Sequence, residues 1–292
     1  MALELIEDAK GDARNARTLA LASDLAYLAE SEGAEAFRSQ LGLDARLFSV
    51  GNTQAYLATN DDHIVVAFRG TESPATIDGL KDWLLTDAVN LLILPEGDLG
   101  TDFAAAGVDA RWHLGFMKAL ADIWDPLFEA VAAELKKSER PIWVTGHSLG
   151  GALAVLAAWR FKRKFVPVHQ LYTFGAPMVG NTVTAEAIDR EFSGKIFRYV
   201  NAPDPIPKLP TVSLIANQYG HCQKEIVLGV AETAEAVTTS AVAFFEQMAG
   251  RTADGVLHGT LIDDIWKSLQ ERVGAHAMEN YRNLVASLLK KS

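Results

Sequence analysis

Ser148 stands in the pattern Gly146-His147-Ser148-Leu149-Gly150, with a glycine two residues away on either side. An apolar run, Ile142 to Val144, precedes it, and the small residues Gly150, Gly151 and Ala152 open a helix-favouring segment after it. Strand, sharp turn and helix is the setting that pushes a serine hydroxyl out past a sheet edge as a nucleophile. The glycines remove β-carbons where strand and helix come closest, and the helix aims its positive end at the charge that develops during acyl transfer. A G-x-S-x-G match arises by chance in roughly one chain of this length in ten. The flanking strand and helix, rather than the five residues alone, therefore carry the assignment.

A serine hydroxyl is too weakly acidic to attack an ester unaided. It needs a base to take its proton and a carboxylate to orient that base. Asp204 follows the apolar run Phe197 to Val200, in a loop whose four prolines, Pro203, Pro205, Pro207 and Pro210, make it stiff. A rigid loop just past a strand end suits an orienting acid, although an Asp-Pro pair alone marks no more than a turn. The base is one of seven histidines. His63 falls in a hairpin turn, His169 precedes a strand, and His147 lies inside the elbow with its side chain lateral to the nucleophile. The chain order serine, acid, histidine leaves His221, His258 and His276. His221 follows the acid loop closely and leads into a strand, and His258 heads an amphipathic helix carrying Leu261, Ile265 and Leu269. His276, in a loop between Gly274 and the last helix, is the best placed.

Two donors are expected to face the oxyanion: the backbone N–H of Leu149, next after the nucleophile, and a group from an early strand-to-helix loop. Thr71, at the end of Arg69-Gly70-Thr71, offers both an N–H and a hydroxyl. A threonine that closes a turn or caps a helix is the alternative there.

The elements that must position these groups are visible in the hydrophobic pattern. Leu21, Leu25 and Leu28 recur at helical spacing within Arg14 to Ser31, which predicts a packing helix, and a second helix is expected near Ala34 to Leu41. Leu47 to Ala58, the polar turn Thr59 to Asp62 and the apolar run Ile64 to Phe68 predict an antiparallel hairpin at a sheet edge, its second strand buried. Further strands are expected at His169 to Phe174 and Phe197 to Val200, with helices over Leu149 to Phe165 and Thr182 to Phe192. The chain has 292 residues, 49% of them hydrophobic, enough for a large core in one α/β domain. A net charge of −10 argues against nucleic acid or strongly anionic membranes as partners. No run approaches the roughly 18 apolar residues of a transmembrane segment. One cysteine, Cys222, excludes an internal disulfide, and the acidic N-terminal stretch lacks the features of a signal peptide, so a cytoplasmic location is expected.

Six motifs in order, FRGT at Phe68 to Thr71, HLGF at His113 to Phe116, GHSLGGALA at Gly146 to Ala154, TFGAPMVGN at Thr173 to Asn181, DPIPKLP at Asp204 to Pro210 and HAMENY at His276 to Tyr281, resemble the fungal-type, class 3 triacylglycerol lipases. The resemblance covers nearly the whole chain. It implies an α/β-hydrolase fold over residues 1–292, a central, mostly parallel mixed sheet flanked by helices, and a helical lid. It also implies Ser148, Asp204 and His276 as catalytic triad, Thr71 and Leu149 as oxyanion hole, no cofactor, and a lipid or small-molecule ester met at an oil–water interface as substrate. His221, in YGHCQKEIVL, is similar to a family histidine outside the triad. The secreted fungal members carry disulfides and an export signal that this chain lacks, and its stretch of roughly residues 230–274 is longer than theirs, so substrate preference is not carried over. Phospholipase A1, galactolipase and feruloyl esterase activities use the same machinery, and a catalytically silent lipid-binding relative is a further alternative.

The lid falls at about residues 74–95, where Ile77, Leu80, Trp83 and Leu84 share one helical face opposite Asp78, Lys81 and Asp82. By pattern alone this is equally an ordinary surface helix. The resemblance, a tryptophan like Trp83 after the oxyanion residue, favours a lid over an acyl groove, with Leu80, Trp83 and Leu84 facing substrate.

Overall fold

The run Ile64–Phe68 is buried at every position, yet its side chains serve two cores in strict alternation. Ile64, Val66 and Phe68 join one apolar cluster, while Val65 and Ala67 join another. A strand sends successive side chains to opposite faces, so a continuous apolar run belongs to a sheet covered on both sides. This one is. In the computed structural model, residues 4–71, 92–93, 97–208, 219–229 and 273–290 are described.

Helices α1 (Ala13–Leu25) and α2 (Glu30–Leu41) open the chain, followed by strands β1 (Asp44–Val50), β2 (Thr53–Thr59), β3 (Ile64–Phe68) and β4 (Leu92–Ile93). Next come α3 (Gly97–Ala104), β5 (Trp112–His113), α4 (Leu114–Lys137), β6 (Ile142–His147), α5 (Leu149–Arg163), β7 (Val168–Phe174) and β8 (Gly180–Asn181). The chain continues through α6 (Thr182–Glu191), β9 (Ile196–Asn201), β10 (Tyr219–Gly220), β11 (Glu225–Leu228) and α7 (Met278–Leu288). Seven strands form the central sheet in the order β1-β2-β3-β6-β7-β9-β11. The pairs β1–β2 and β2–β3 are antiparallel, and every pair from β3 to β11 is parallel. A small antiparallel ribbon, β10-β8-β5-β4, stands apart.

One face is covered by α4, α5 and α6, whose Phe116, Leu120, Trp124, Leu153, Leu156 and Ile188 enter the larger cluster. The other carries α1, α2 and α7, with Leu19, Leu25, Phe37, Tyr281 and Val285. Each such side chain contributes roughly 1.5–3 kcal/mol when fully buried.

The expected first strand is in fact two. A reversal at Gly51-Asn52 separates β1 from β2, which pair antiparallel from Val50–Thr53 to Asp44–Thr59, so a three-stranded meander replaces the hairpin. Gly-Asn between two strand-like runs is itself a tight-turn signal, masked here by the unbroken β-forming composition on either side. The first helix stops at Leu25, earlier than its leucine spacing suggests, and the second begins at Glu30.

Loops that carry Thr71, Ser148, Gly175 and Asp204 all leave the carboxyl ends of β3, β6, β7 and β9. In a parallel sheet those ends share one edge, where α/β proteins assemble their sites.

Candidate active site

Ser148 caps α5 with φ 57° and ψ −131°, a left-handed backbone that serine adopts at a cost and that the surrounding packing must impose. Its N–H donates to the Phe174 carbonyl at 2.9 Å, and its own carbonyl accepts from the Gly151 N–H at 2.9 Å. The glycines of the motif are needed for closeness. A β-carbon on Gly146 would lie 2.2 Å from the Gly150 carbonyl oxygen, and one on Gly150 would lie 2.3 Å from the Phe68 carbonyl oxygen. The elbow is thus pressed between its own helix and the loop that leads to Thr71.

Asp204 is wholly buried, and both its oxygens are used. Oδ1 accepts from the Ile206 N–H at 2.9 Å, which fixes the carboxylate to its proline-rich loop. Oδ2 accepts from His276 Nδ1 at 2.7 Å and from the Tyr281 hydroxyl at 2.5 Å. Burial, and then the Asp204 charge, raise the Tyr281 hydroxyl well above its ordinary pKa, so it stays a donor. That hydroxyl also accepts from the Asn201 N–H at 3.1 Å. Gly175 lets these groups meet, since a β-carbon there would stand 2.9 Å from both Asp204 Oδ2 and the Tyr281 hydroxyl.

His276 ends a 3-10 turn, Val273–His276, just before α7. With Nδ1 engaged by Asp204, its Nε2 is buried and makes no hydrogen bond among the described residues. That nitrogen is available to take a proton. The turn is tied down by the Asn201 side chain, which donates to the Ala275 carbonyl at 2.8 Å, and by that of Asn280, which donates to the Gly274 carbonyl at 2.7 Å.

The loop after β3 lies against the elbow, because a β-carbon on Gly70 would fall 2.6 Å from the His147 carbonyl oxygen and 3.1 Å from Ser148 Cβ. Thr71, next along, has a buried hydroxyl oxygen with no hydrogen-bond partner among the described residues. Leu149 begins α5, and the first N–H groups of a helix have no carbonyl within it to bond. Thr71→Val, which keeps shape and backbone N–H but removes the hydroxyl, is expected to lower kcat on a dissolved ester about a hundredfold with little change in KM. An unchanged rate would leave the backbone as the donor.

Asp204, His276, Ser148 and Thr71 therefore converge from four loops. His221 does not join them: its Nε2 bonds the Pro207 carbonyl, bracing the acid loop, and burial drives its pKa down to about 3. His258 lies outside the described residues, as do Leu80, Trp83, Leu84 and most of the 74–95 and 230–274 segments. Tyr27, Tyr281 and the hydrogen bonds of His147 escaped sequence reading. A lone tyrosine carries no local signal, although Tyr281 closes the quoted HAMENY motif. Among the described residues no group of His, Cys, Asp or Glu could hold a metal ion, and no helix is long and apolar enough to cross a membrane.

A strained serine elbow on a mostly parallel seven-stranded sheet, with a buried Asp–His pair at the same edge, defines the α/β-hydrolase fold. The model of the class 3 lipase family matches residues 65–214, just over half of the chain. The chain belongs to that family. It is 32% identical over 182 residues to a secreted mono- and diacylglycerol lipase of Penicillium cyclopium, covering 62% of this chain and 54% of the relative. A chloroplastic phospholipase A(1) of Arabidopsis thaliana is 31% identical over 160 residues, covering 52% and 34% respectively. The chain thus spans about half the length, or less, of these curated relatives. Among solved structures, the mono- and diacylglycerol lipase from Aspergillus oryzae superposes with a TM-score of 0.58 at 24% identity, over 77% of this chain and 83% of that one.

Proposed function

We propose that this protein hydrolyses carboxylic esters of lipids through an acyl-enzyme on Ser148. The 2.7 Å bond between Asp204 and His276, set at the edge where the elbow presents Ser148, carries the reading. In the reaction His276 Nε2 takes the serine proton as Oγ attacks the ester carbonyl, and later gives a proton to the leaving alcohol. Asp204 holds the tautomer with Nδ1 protonated and stabilises the imidazolium that forms. Thr71 and the Leu149 N–H receive the oxyanion, and water then releases the acyl group by the same route. The names of the relatives, which include mono- and diacylglycerol lipases and a phospholipase A(1), favour a lipid ester over a small polar one.

A fluorophosphonate probe is expected to label Ser148 stoichiometrically. Turnover of p-nitrophenyl esters of increasing chain length, beside emulsions of mono-, di- and triacylglycerol and of phospholipid, then ranks the substrates. An unlabelled Ser148 and no turnover of any ester would mean a silent relative and end this reading.

A further inference from the structure

His147 is buried next to the nucleophile, and the proposed chemistry does not use its side chain. Its Nε2 lies 2.7 Å from the backbone carbonyl oxygen of His276. A carbonyl can only accept, so Nε2 must carry the proton. Burial, and then the neighbouring His276 ring, push the pKa of His147 well below its ordinary value, so the ring is neutral and Nδ1 is bare. Nδ1 finds the Tyr27 hydroxyl at 2.8 Å, which must therefore donate. Every proton in the chain is assigned by its neighbours. The Tyr27 oxygen in turn packs on the loop that leads to Thr71, where a β-carbon on Gly70 would come within 2.2 Å of it. The rings of His147 and His276 stand 4.5 Å apart, and the Tyr281 ring lies 5.7 Å from that of His147 between centroids.

We propose that Tyr27 and His147 are positioning residues for ester hydrolysis, a two-membered hydrogen-bonded brace that fixes the backbone of His276 relative to Ser148 and to the oxyanion loop. Asp204 holds the His276 ring at Nδ1, but one bond leaves a ring free to pivot. The brace pins the peptide plane from which that ring projects, and it does so from the residue adjoining the nucleophile. It rests on the proposed function for its activity readout, though its tautomer can be read without any substrate.

Four variants test it on a dissolved short-chain p-nitrophenyl ester, with thermal unfolding measured alongside: Tyr27→Phe, His147→Gln, His147→Leu, and Tyr27→Phe combined with His147→Leu. Tyr27→Phe is expected to lower kcat about tenfold with KM within about twofold, since misplacement of a reacting group costs rate rather than binding. His147→Gln can keep an N–H near the Nε2 position and should retain more kcat than His147→Leu. The double variant should be no slower than His147→Leu, because the first link is useless without the second. Nitrogen NMR of the wild type should find His147 as the neutral Nε2–H tautomer. Wild-type kcat in Tyr27→Phe, equal losses in Gln and Leu that follow stability, or additive losses in the double variant would overturn the brace. The opposite tautomer would overturn it even if the enzyme proved active. A wild-type protein that neither labels nor hydrolyses, yet shows the Nε2–H tautomer, would sink the proposed function and not the bonding described here.

Discussion

Ser148→Ala is expected to lose four to six orders of magnitude in kcat on a dissolved ester while remaining folded. The side chain is small and lies on a turn already held by its backbone bonds to Phe174 and Gly151, so removing the hydroxyl costs little stability. His276→Ala should fall nearly as far, and the double variant no further, because nucleophile and base act as one unit. Asp204→Asn is the more instructive change. An amide nitrogen in place of Oδ2 would oppose two donors, His276 Nδ1–H and the Tyr281 hydroxyl, whereas turning its oxygen toward them would place that nitrogen against the Ile206 N–H. A reversed His276 tautomer relieves part of this clash and removes the base, for a loss of about four orders of magnitude. Steady-state rates with circular dichroism on the same samples check all three. Near-wild-type turnover in His276→Ala would move the base elsewhere, with His258 the first histidine to examine.

The second large effect is expected from one methyl group. Gly150→Ala puts a β-carbon 2.3 Å from the Phe68 carbonyl oxygen and 2.7 Å from the Arg69 carbonyl carbon, both backbone atoms with no rotamer to escape into. Either α5 shifts or the β3 loop is driven away, and Thr71 rides on that loop. A loss of about 2–4 kcal/mol in stability is expected, with a drop in kcat greater than that of Thr71→Val. Gly274→Ala is the control for backbone entropy, since no atom of the described residues lies within 4 Å of a β-carbon there. Urea unfolding of the two variants separates the effects. Similar stabilities would show that the crowded elbow yields more easily than its contacts imply.

How far the chain could be read from its letters followed the range of the interactions. The elbow is local: an apolar strand, a turn of forced backbone and a small-residue helix lie within some twenty consecutive positions, so pattern alone reveals them. Asp204 and His276 are marked in the sequence only by loop stiffness and chain order, weaker signals that the family motifs strengthen. The partner of Tyr27 lies 120 positions away and that of Tyr281 lies 77 away, and nothing near either tyrosine announces a buried hydroxyl with one assigned acceptor. Its place in the elbow marks His147 as lateral to the nucleophile, and its ring stands 4.5 Å from that of His276. Its significance is in what it grips, which no spacing rule encodes. The β1–β2 reversal differs, because Gly51-Asn52 was a legible signal outweighed by the β-forming residues around it.

The pairing of α1 with α7 sets when this site comes into being. Tyr27 comes just after the first helix and Tyr281 lies on the last, and the two helices are joined by Arg282 and Asp24 at 2.5 Å. His276 is synthesised 129 residues after His147. At ribosomal speeds of roughly 5–20 residues per second the nascent chain carries Ser148 for on the order of ten seconds before His276 is made. Through that interval the sheet from β1 to β9 can form around an elbow that lacks His276. On the proposed mechanism, hydrolytic competence therefore waits for the turn before α7, and a polypeptide that stalls before residue 276 carries Ser148 without His276.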